Sequence, residues 1–174
     1  MIQPLLLLAA AALAADGGWS TVVRVPAPAA RLPGLPALTG RVVDNADLLT
    51  QDQEAFLTRA LEITERRTKH QLVVVTLPSL GGKPIEKVGL ELGKGWGIGR
   101  KGHDDGVLLI VAPNERKVRI EVGYGLEEKL TNAEAAAIID QRILPRFRRG
   151  AMAAGIYDGS AGIIREIDTP GATS

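Results

Sequence analysis

Apolar and polar residues follow one another in blocks along the chain, and the blocks predict helices and strands in mixed order. Behind a capping box at residues 50–53, apolar residues recur at helical spacing, which predicts an amphipathic helix. The runs 71–77 and 107–111 are apolar without alternation, which is typical of strands covered on both faces. The segment 117–122 alternates instead, which predicts an antiparallel strand near the sheet edge with one face toward solvent.

Four further segments complete the predicted order of elements. Residues 41–44 form a short extended segment, and a helix is expected over about 84–94. A second capping box at 131–134 opens a helix that Pro145 is expected to end, and a last helix spans about 151–167. The order helix, strand, helix, two strands, helix, helix predicts an α/β fold with helices on both faces of a small mixed sheet.

The N-terminal part of the chain has a different character. Residues 5–15 are apolar, too short to span a bilayer, and end in small residues, which predicts a cleaved export signal at 1–15 although no basic residue precedes it. The prolines between 25 and 36 predict an extended linker at 16–37, followed by a domain at 38–168 and a tail at 169–174. No second apolar stretch is long enough to be a transmembrane anchor, so we expect a periplasmic or otherwise extracytoplasmic domain.

Composition and charge narrow the classes of function. The chain has 174 residues, of which 3% are aromatic, so one domain with an aliphatic core is expected. With 21 basic and 20 acidic residues the net charge is +1, which argues against nucleic acid as a partner. The absence of cysteine excludes disulfides, thiolate catalysis and cysteine zinc sites. Four arginines, at 142, 146, 148 and 149, form either the solvated end of a helix or an anion site.

Candidate chemistry concentrates in the glycine-rich stretch 96–106. Its letters match G-x-G-x-x-G, but a helix precedes it and a strand follows, the reverse of a dinucleotide site. The only histidines are His70 and His103, and no G-x-S-x-G motif occurs, so a serine-hydrolase triad is not predicted. His103 lies beside two acids, where it is either a proton-transfer group or simply solvated.

Acidic residues gather at one end of the predicted sheet. A tight turn at 113–116 places Gly106 opposite Gly123 and Leu108 opposite Glu121. The acids brought toward this end, with one arriving from the first extended segment, are Asp44, Asp104, Asp105, Glu121, Glu127 and Glu128. Such a cluster either shares a cation or consists of turn formers and solvated side chains.

Six runs of this sequence, in order, resemble the TPM domain: 38–46, 71–76, 96–99, 103–109, 119–127 and 143–145. That family includes thylakoid-lumen proteins linked to photosystem II repair, a nematode receptor-associated membrane protein and many exported bacterial proteins. The resemblance implies a three-layer α/β/α sandwich with a small mixed central sheet, and Ca²⁺ or another divalent cation such as Mg²⁺ in an acidic cleft. The matching acids, and so the implied metal ligands, are Asp44, Asp104, Asp105, Glu121 and Glu127. Many bacterial relatives carry a C-terminal transmembrane helix and a glycine-rich tail, neither of which occurs before Ser174.

Two functional hypotheses follow from the resemblance. The first is an exported, monomeric Ca²⁺-binding domain with an accessory role for envelope membrane proteins. The alternative is a metal-assisted acid phosphatase, an activity of some family members. In that case Asp104 or Asp105 holds the metal or acts as nucleophile, and Arg100 and Lys101 neutralise the phosphate.

Overall fold

A computed structural model describes residues 34–169, in which four strands and five helices follow one another along the chain. The strands are β1 (Val42–Asp44), β2 (Gln71–Thr76), β3 (Gly106–Ala112) and β4 (Lys117–Val122). The helices are α1 (Gln51–Thr68), α2 (Ile85–Trp96), α3 (Asn132–Ile138), α4 (Leu144–Phe147) and α5 (Met152–Asp168). The predicted signal, most of the predicted linker and all but the first residue of the predicted tail lie outside the described residues.

The sheet has the order β1-β2-β3-β4, with the first three strands parallel and β4 antiparallel to β3. Leu108 lies opposite Glu121, and the N–H of Gly123 donates to the carbonyl oxygen of Gly106 at 2.8 Å. The predicted register of this hairpin is therefore confirmed, as is the position of β4 at the sheet edge.

Alternate residues of β3 supply two separate cores. Val107, Leu109 and Val111 pack in the core shared with α1, α3 and α5. Leu108 and Ile110 pack in the core shared with α2. Because both faces of the strand are covered, its sequence is apolar throughout. The predicted α/β/α arrangement with a mixed sheet is confirmed.

The prediction that Pro145 ends a helix is wrong. Beyond α3 the chain continues through a π-helical turn (Ile139–Ile143) directly into α4, where Pro145 occupies the first turn. Proline has no N–H to donate to the carbonyl four residues earlier, so an α-helical bond is impossible at that position. The wider turn, in which the N–H of Leu144 donates to Ile139, lets the helical run continue past the proline.

The end of the predicted linker lies against the domain. Leu35 and Leu38 pack against the core on the α2 side, and the indole N–H of Trp96 donates to the carbonyl oxygen of Pro36 at 3.2 Å. The packed part of the chain thus begins a few residues before position 38. Between residues 34 and 169 no helix is long and apolar enough to cross a membrane.

Candidate functional site

Two loops meet where β2 and β3 begin, and we call residues 97–105 together with 123–130 the loop edge. The first loop leaves α2 through Gly97, whose φ of +61° suits a residue without a side chain. The N–H of Gly99 donates to the side-chain oxygen of Gln71 at 2.7 Å, which ties the loop to the start of β2. The glycine-rich sequence therefore builds a compact turn against the sheet.

Asp105 holds this turn together from within. Its side chain is only 3% exposed, and it accepts hydrogen bonds from the backbone N–H of Arg100 at 2.7 Å and from the Nε of Arg100 at 2.6 Å. The backbone N–H binds Oδ1, whereas Nε and Nη2 of the guanidinium both lie 2.6 Å from Oδ2. Burial alone raises the pKa of Asp105, but the hydrogen bonds and charge of Arg100 outweigh it and hold the pKa below its usual value. Both carboxylate oxygens are thus already engaged within the protein.

His70 lies beside Asp105, immediately before β2. Its Nδ1 is 3.6 Å from a carboxylate oxygen of Asp105, too far for a hydrogen bond, and has no other partner. Burial, followed by the charge of Lys129, lowers the pKa of His70 despite the nearby carboxylate. The imidazole is therefore neutral at pH 7.

Asp104, unlike Asp105, is exposed, and its backbone has the left-handed φ of +47°. Its carbonyl oxygen accepts a hydrogen bond from the N–H of Gly125 at 3.1 Å, and a β-carbon at Gly125 would overlap the carbonyl oxygen of His103. Glu127, also exposed, follows directly on the 3-10 turn Tyr124–Leu126. Two of the predicted metal ligands, Asp104 and Glu127, thus lie on contacting segments of the loop edge.

Asp44 lies at the opposite end of the strands from the loop edge, so the expectation that it joins the other acids is corrected. In the parallel register it is level with Thr76, which in turn is level with Val111, six residues along β3 from Asp105. At about 3.3 Å per residue this is a separation of about 20 Å. Asp44 accepts hydrogen bonds from the hydroxyl of Thr76 and, at 2.7 Å, from the N–H of Leu49. These bonds fix the turn that leads into α1.

Glu121 faces α2 rather than the loop edge. It shares a face of the sheet with Leu108, whose side chain belongs to the α2-side core. Its carboxylate accepts a hydrogen bond from the guanidinium of Arg119, and its side chain fills the space beside Gly89 where a β-carbon would stand. The lack of a side chain at Gly89 therefore lets this ion pair lie against the helix.

The five acids do not form the single cluster that the family resemblance implies. Among residues 34–169, no three histidine, aspartate or glutamate side chains are grouped so that they could hold a metal ion. Sequence reasoning missed the pairing of Asp105 with Arg100 and the approach of His70. The signal for the latter was present, because parallel pairing of β2 with β3 brings the residues that precede each strand together.

Comparisons with known proteins agree with the fold. The family model described as TPM domain matches residues 42–166, which confirms the resemblance. The N-terminal domain of a protein from P. gingivalis, solved by solution NMR, is 36% identical with a TM-score of 0.70, covering 75% of this chain and 83% of that one. A domain from Corynebacterium glutamicum (17% identity, TM-score 0.57, 78% of this chain, 86% of that one) shares the fold.

The same fold occurs in the BA42 protein from the psychrophilic bacterium Bizionia argentinensis. It has 17% identity and a TM-score of 0.61, and the match covers 71% of this chain and 83% of that one. No curated protein matches the chain.

Proposed function

Because the chain belongs to the TPM-domain family, we propose that it is a binding module that holds a divalent cation, preferentially Ca²⁺, at the loop edge. The observation that carries the proposal is the different environment of two adjacent acids, Asp104 and Asp105. Asp105 is buried and bound by Arg100, whereas Asp104 is exposed on a loop that Asp105 braces. A preorganised loop lowers the entropic cost of placing a carboxylate on a ligand.

Glu127 is the second carboxylate of the proposed site. It is exposed, and its segment is hydrogen-bonded to the loop that carries Asp104. Two carboxylates supply hard oxygen ligands, and Ca²⁺ completes its six to eight positions with backbone carbonyls and water. Such a sparse donor set predicts a weak site, with a dissociation constant on the order of 1 mM, as in extracellular modules. Asp44, Asp105 and Glu121 are assigned structural roles instead.

A weak calcium site suits a compartment in which calcium is abundant, and we propose export to the cell envelope on the basis of the N-terminal apolar segment. There the module acts as an accessory to membrane proteins rather than as a catalyst.

The alternative, phosphoester hydrolysis, has less support. Asp105 is buried and bound by Arg100, and the same contact neutralises the half-exposed guanidinium of Arg100. Of the four residues considered for this role, that leaves Asp104 and Lys101, both of which are exposed.

Thermal unfolding with Ca²⁺, Mg²⁺ or EDTA tests the proposal. At about 10 mM Ca²⁺ and a dissociation constant of about 1 mM, binding adds about 1.4 kcal/mol to the free energy of unfolding. For a domain of this size that raises the midpoint by about 4–6 °C. The rise should disappear in Asp104→Asn and shrink in Glu127→Gln.

The chain supplies a matched control in Asp47. It is an exposed aspartate with a φ of +50°, so Asp47→Asn makes the same chemical change in a similar backbone setting. The rise should survive this substitution. A calcium response that is absent, or that both aspartate variants lose equally, contradicts the proposed site. Turnover of p-nitrophenyl phosphate that disappears in Asp104→Asn and persists in Asp47→Asn would favour the enzyme alternative.

A further inference from the structure

A depression with three arginines in its wall lies between the π-helical turn, α4 and α5, on the helical layer formed by α1, α3 and α5. We call it the basic pocket. Its volume is about 490 Å³, and it is lined by Gln141, Arg142, Pro145, Arg146, Arg149 and Asp158. Three guanidinium groups and one carboxylate give this wall a net charge of +2. Ligand pockets span about 300–1,000 Å³, so the volume suffices for a small anion with an attached group.

A glycine of α5 lets the stem of Arg142 lie flat against that helix. A β-carbon at Gly162 would stand 2.9 Å from the Cδ of Arg142, so a real side chain there would push the stem outward. The close approach therefore holds the base of this side chain while its charged end remains near solvent, which reduces the entropy lost on binding a ligand.

The charges of the pocket are only partly satisfied within the protein. Asp158 accepts a hydrogen bond from the Nε of Arg146 at 2.7 Å. Among residues 34–169, no carboxylate lies within ion-pair distance of Arg142 or Arg149. Two guanidinium groups with five donors each are thus available on one wall.

We propose that the basic pocket binds a phosphate group, carried by a soluble phosphomonoester or by a phosphomonoester lipid headgroup. A dianionic phosphate matches the net charge of the wall. Guanidinium groups bind phosphate through paired N–H donors, which gives direction as well as charge. The proposal is independent of the cation site, since the basic pocket is formed by a different part of the chain from the loop edge.

The π-helical turn is the second observation that favours a ligand. Arg142 belongs to the turn Ile139–Ile143, and such turns within helices occur frequently at functional sites. The competing explanation is that cations gather at the end of α4 because they suit the helix dipole. That explanation treats Arg148 and Arg149 alike, because both follow the last residue of α4, whereas only Arg149 lines the pocket.

This difference supplies the experiment. The Nε–Hε signals of the arginines are followed by NMR while inorganic phosphate is added to the purified chain in EDTA, with sodium chloride at equal ionic strength as reference. Saturable shifts are expected at Arg142, Arg146 and Arg149 for phosphate only. Arg149→Gln should weaken the affinity about tenfold through loss of a charged hydrogen bond, and Arg148→Gln should leave it within about twofold.

A second arm separates the two sources of phosphate. The same variants are sedimented with vesicles of phosphatidylcholine alone or with added phosphatidate. Vesicle binding that depends on Arg149 but not on Arg148 identifies the lipid source, whereas phosphate binding without vesicle binding identifies a soluble ester. Absence of both, or equal losses in the two variants, overturns the proposal. Unchanged backbone amide spectra of the variants verify that each is folded.

Discussion

Replacing Asp105 by asparagine tests whether this carboxylate holds the loop edge together. The substitution keeps the size of the side chain and removes its charge. The amide oxygen of the new side chain can still accept from the backbone N–H of Arg100, but its NH₂ group faces the guanidinium with no acceptor to offer. The variant therefore loses the side-chain part of the pairing, in which Nε and Nη2 of Arg100 each lie 2.6 Å from the carboxylate.

The size of the loss in the free energy of unfolding depends on how far Asp105 and Arg100 are each buried. A hydrogen bond to a charged group contributes about 1.5–3 kcal/mol net, and two such contacts are lost. The side chain of Arg100 is 49% exposed, so water can replace part of what the guanidinium gives up, whereas Asp105 is 3% exposed. We expect Asp105→Asn to lower the free energy of unfolding by about 2–3 kcal/mol.

Urea unfolding at pH 7 measures this loss. With a slope of about 2 kcal/mol per molar urea, the midpoint should fall by about 1–1.5 M without a change in slope. Asp104→Asn makes the same substitution one position earlier on an exposed side chain, and it should stay within about 0.5 kcal/mol of the parent. In a double-mutant cycle, Arg100→Gln and Asp105→Asn should be coupled by more than about 1 kcal/mol. A loss at Asp105 no larger than that at Asp104 refutes the structural role.

Two further predictions concern the same edge. Gly125→Ala should lower the free energy of unfolding in urea by about 3 kcal/mol or more, because its β-carbon would overlap the backbone of His103. Gly93 has open space around it inside α2, so Gly93→Ala should be neutral or stabilising. Equal effects of the two substitutions would contradict the close packing at Gly125. The pKa of His70 is lowered on folding, so the unfolded chain binds more protons below its ordinary value of 6.5, and stability should fall as pH decreases through that value. His70→Gln should remove this part of the pH dependence of stability. The loss of stability at more acidic pH, where Asp105 becomes protonated, should remain. If the plot of stability against pH near pH 6 is the same in the variant and the parent, the lowered pKa of His70 is contradicted.

Much of the fold could be predicted from local patterns. The capping boxes at Thr50 and Thr131 do open α1 and α3, since the hydroxyl and the side chain three residues later satisfy free amides at the helix start. Strand β3 is apolar throughout because α2 covers one face and the other helices cover the opposite one. Pro145 was misjudged because a π-helical turn, which depends on packing against α5, removes the conflict that normally ends a helix.

The candidate site was harder to predict, since it depends on strand direction and loop conformation rather than on periodicity. A helix between consecutive strands implies that the strands are parallel, so all three strands begin at the same end of the sheet. Asp44, at the end of β1, and Asp105, before the start of β3, therefore had to lie at opposite ends of the strands. That inference was available from the order of elements. The pairing of Asp105 with Arg100 was not, because it requires a loop with left-handed residues at Gly99, Gly102 and Asp104.

A backbone amide NMR titration with Ca²⁺ tests whether Asp104 and Glu127 are available for a ligand while Asp44 and Asp105 maintain the fold. We expect saturable shifts at millimolar Ca²⁺ confined to residues 103–105 and 124–128, with no response around Asp44. Shifts centred on Asp44 and Thr76, or no shifts anywhere at saturating millimolar Ca²⁺, would contradict it.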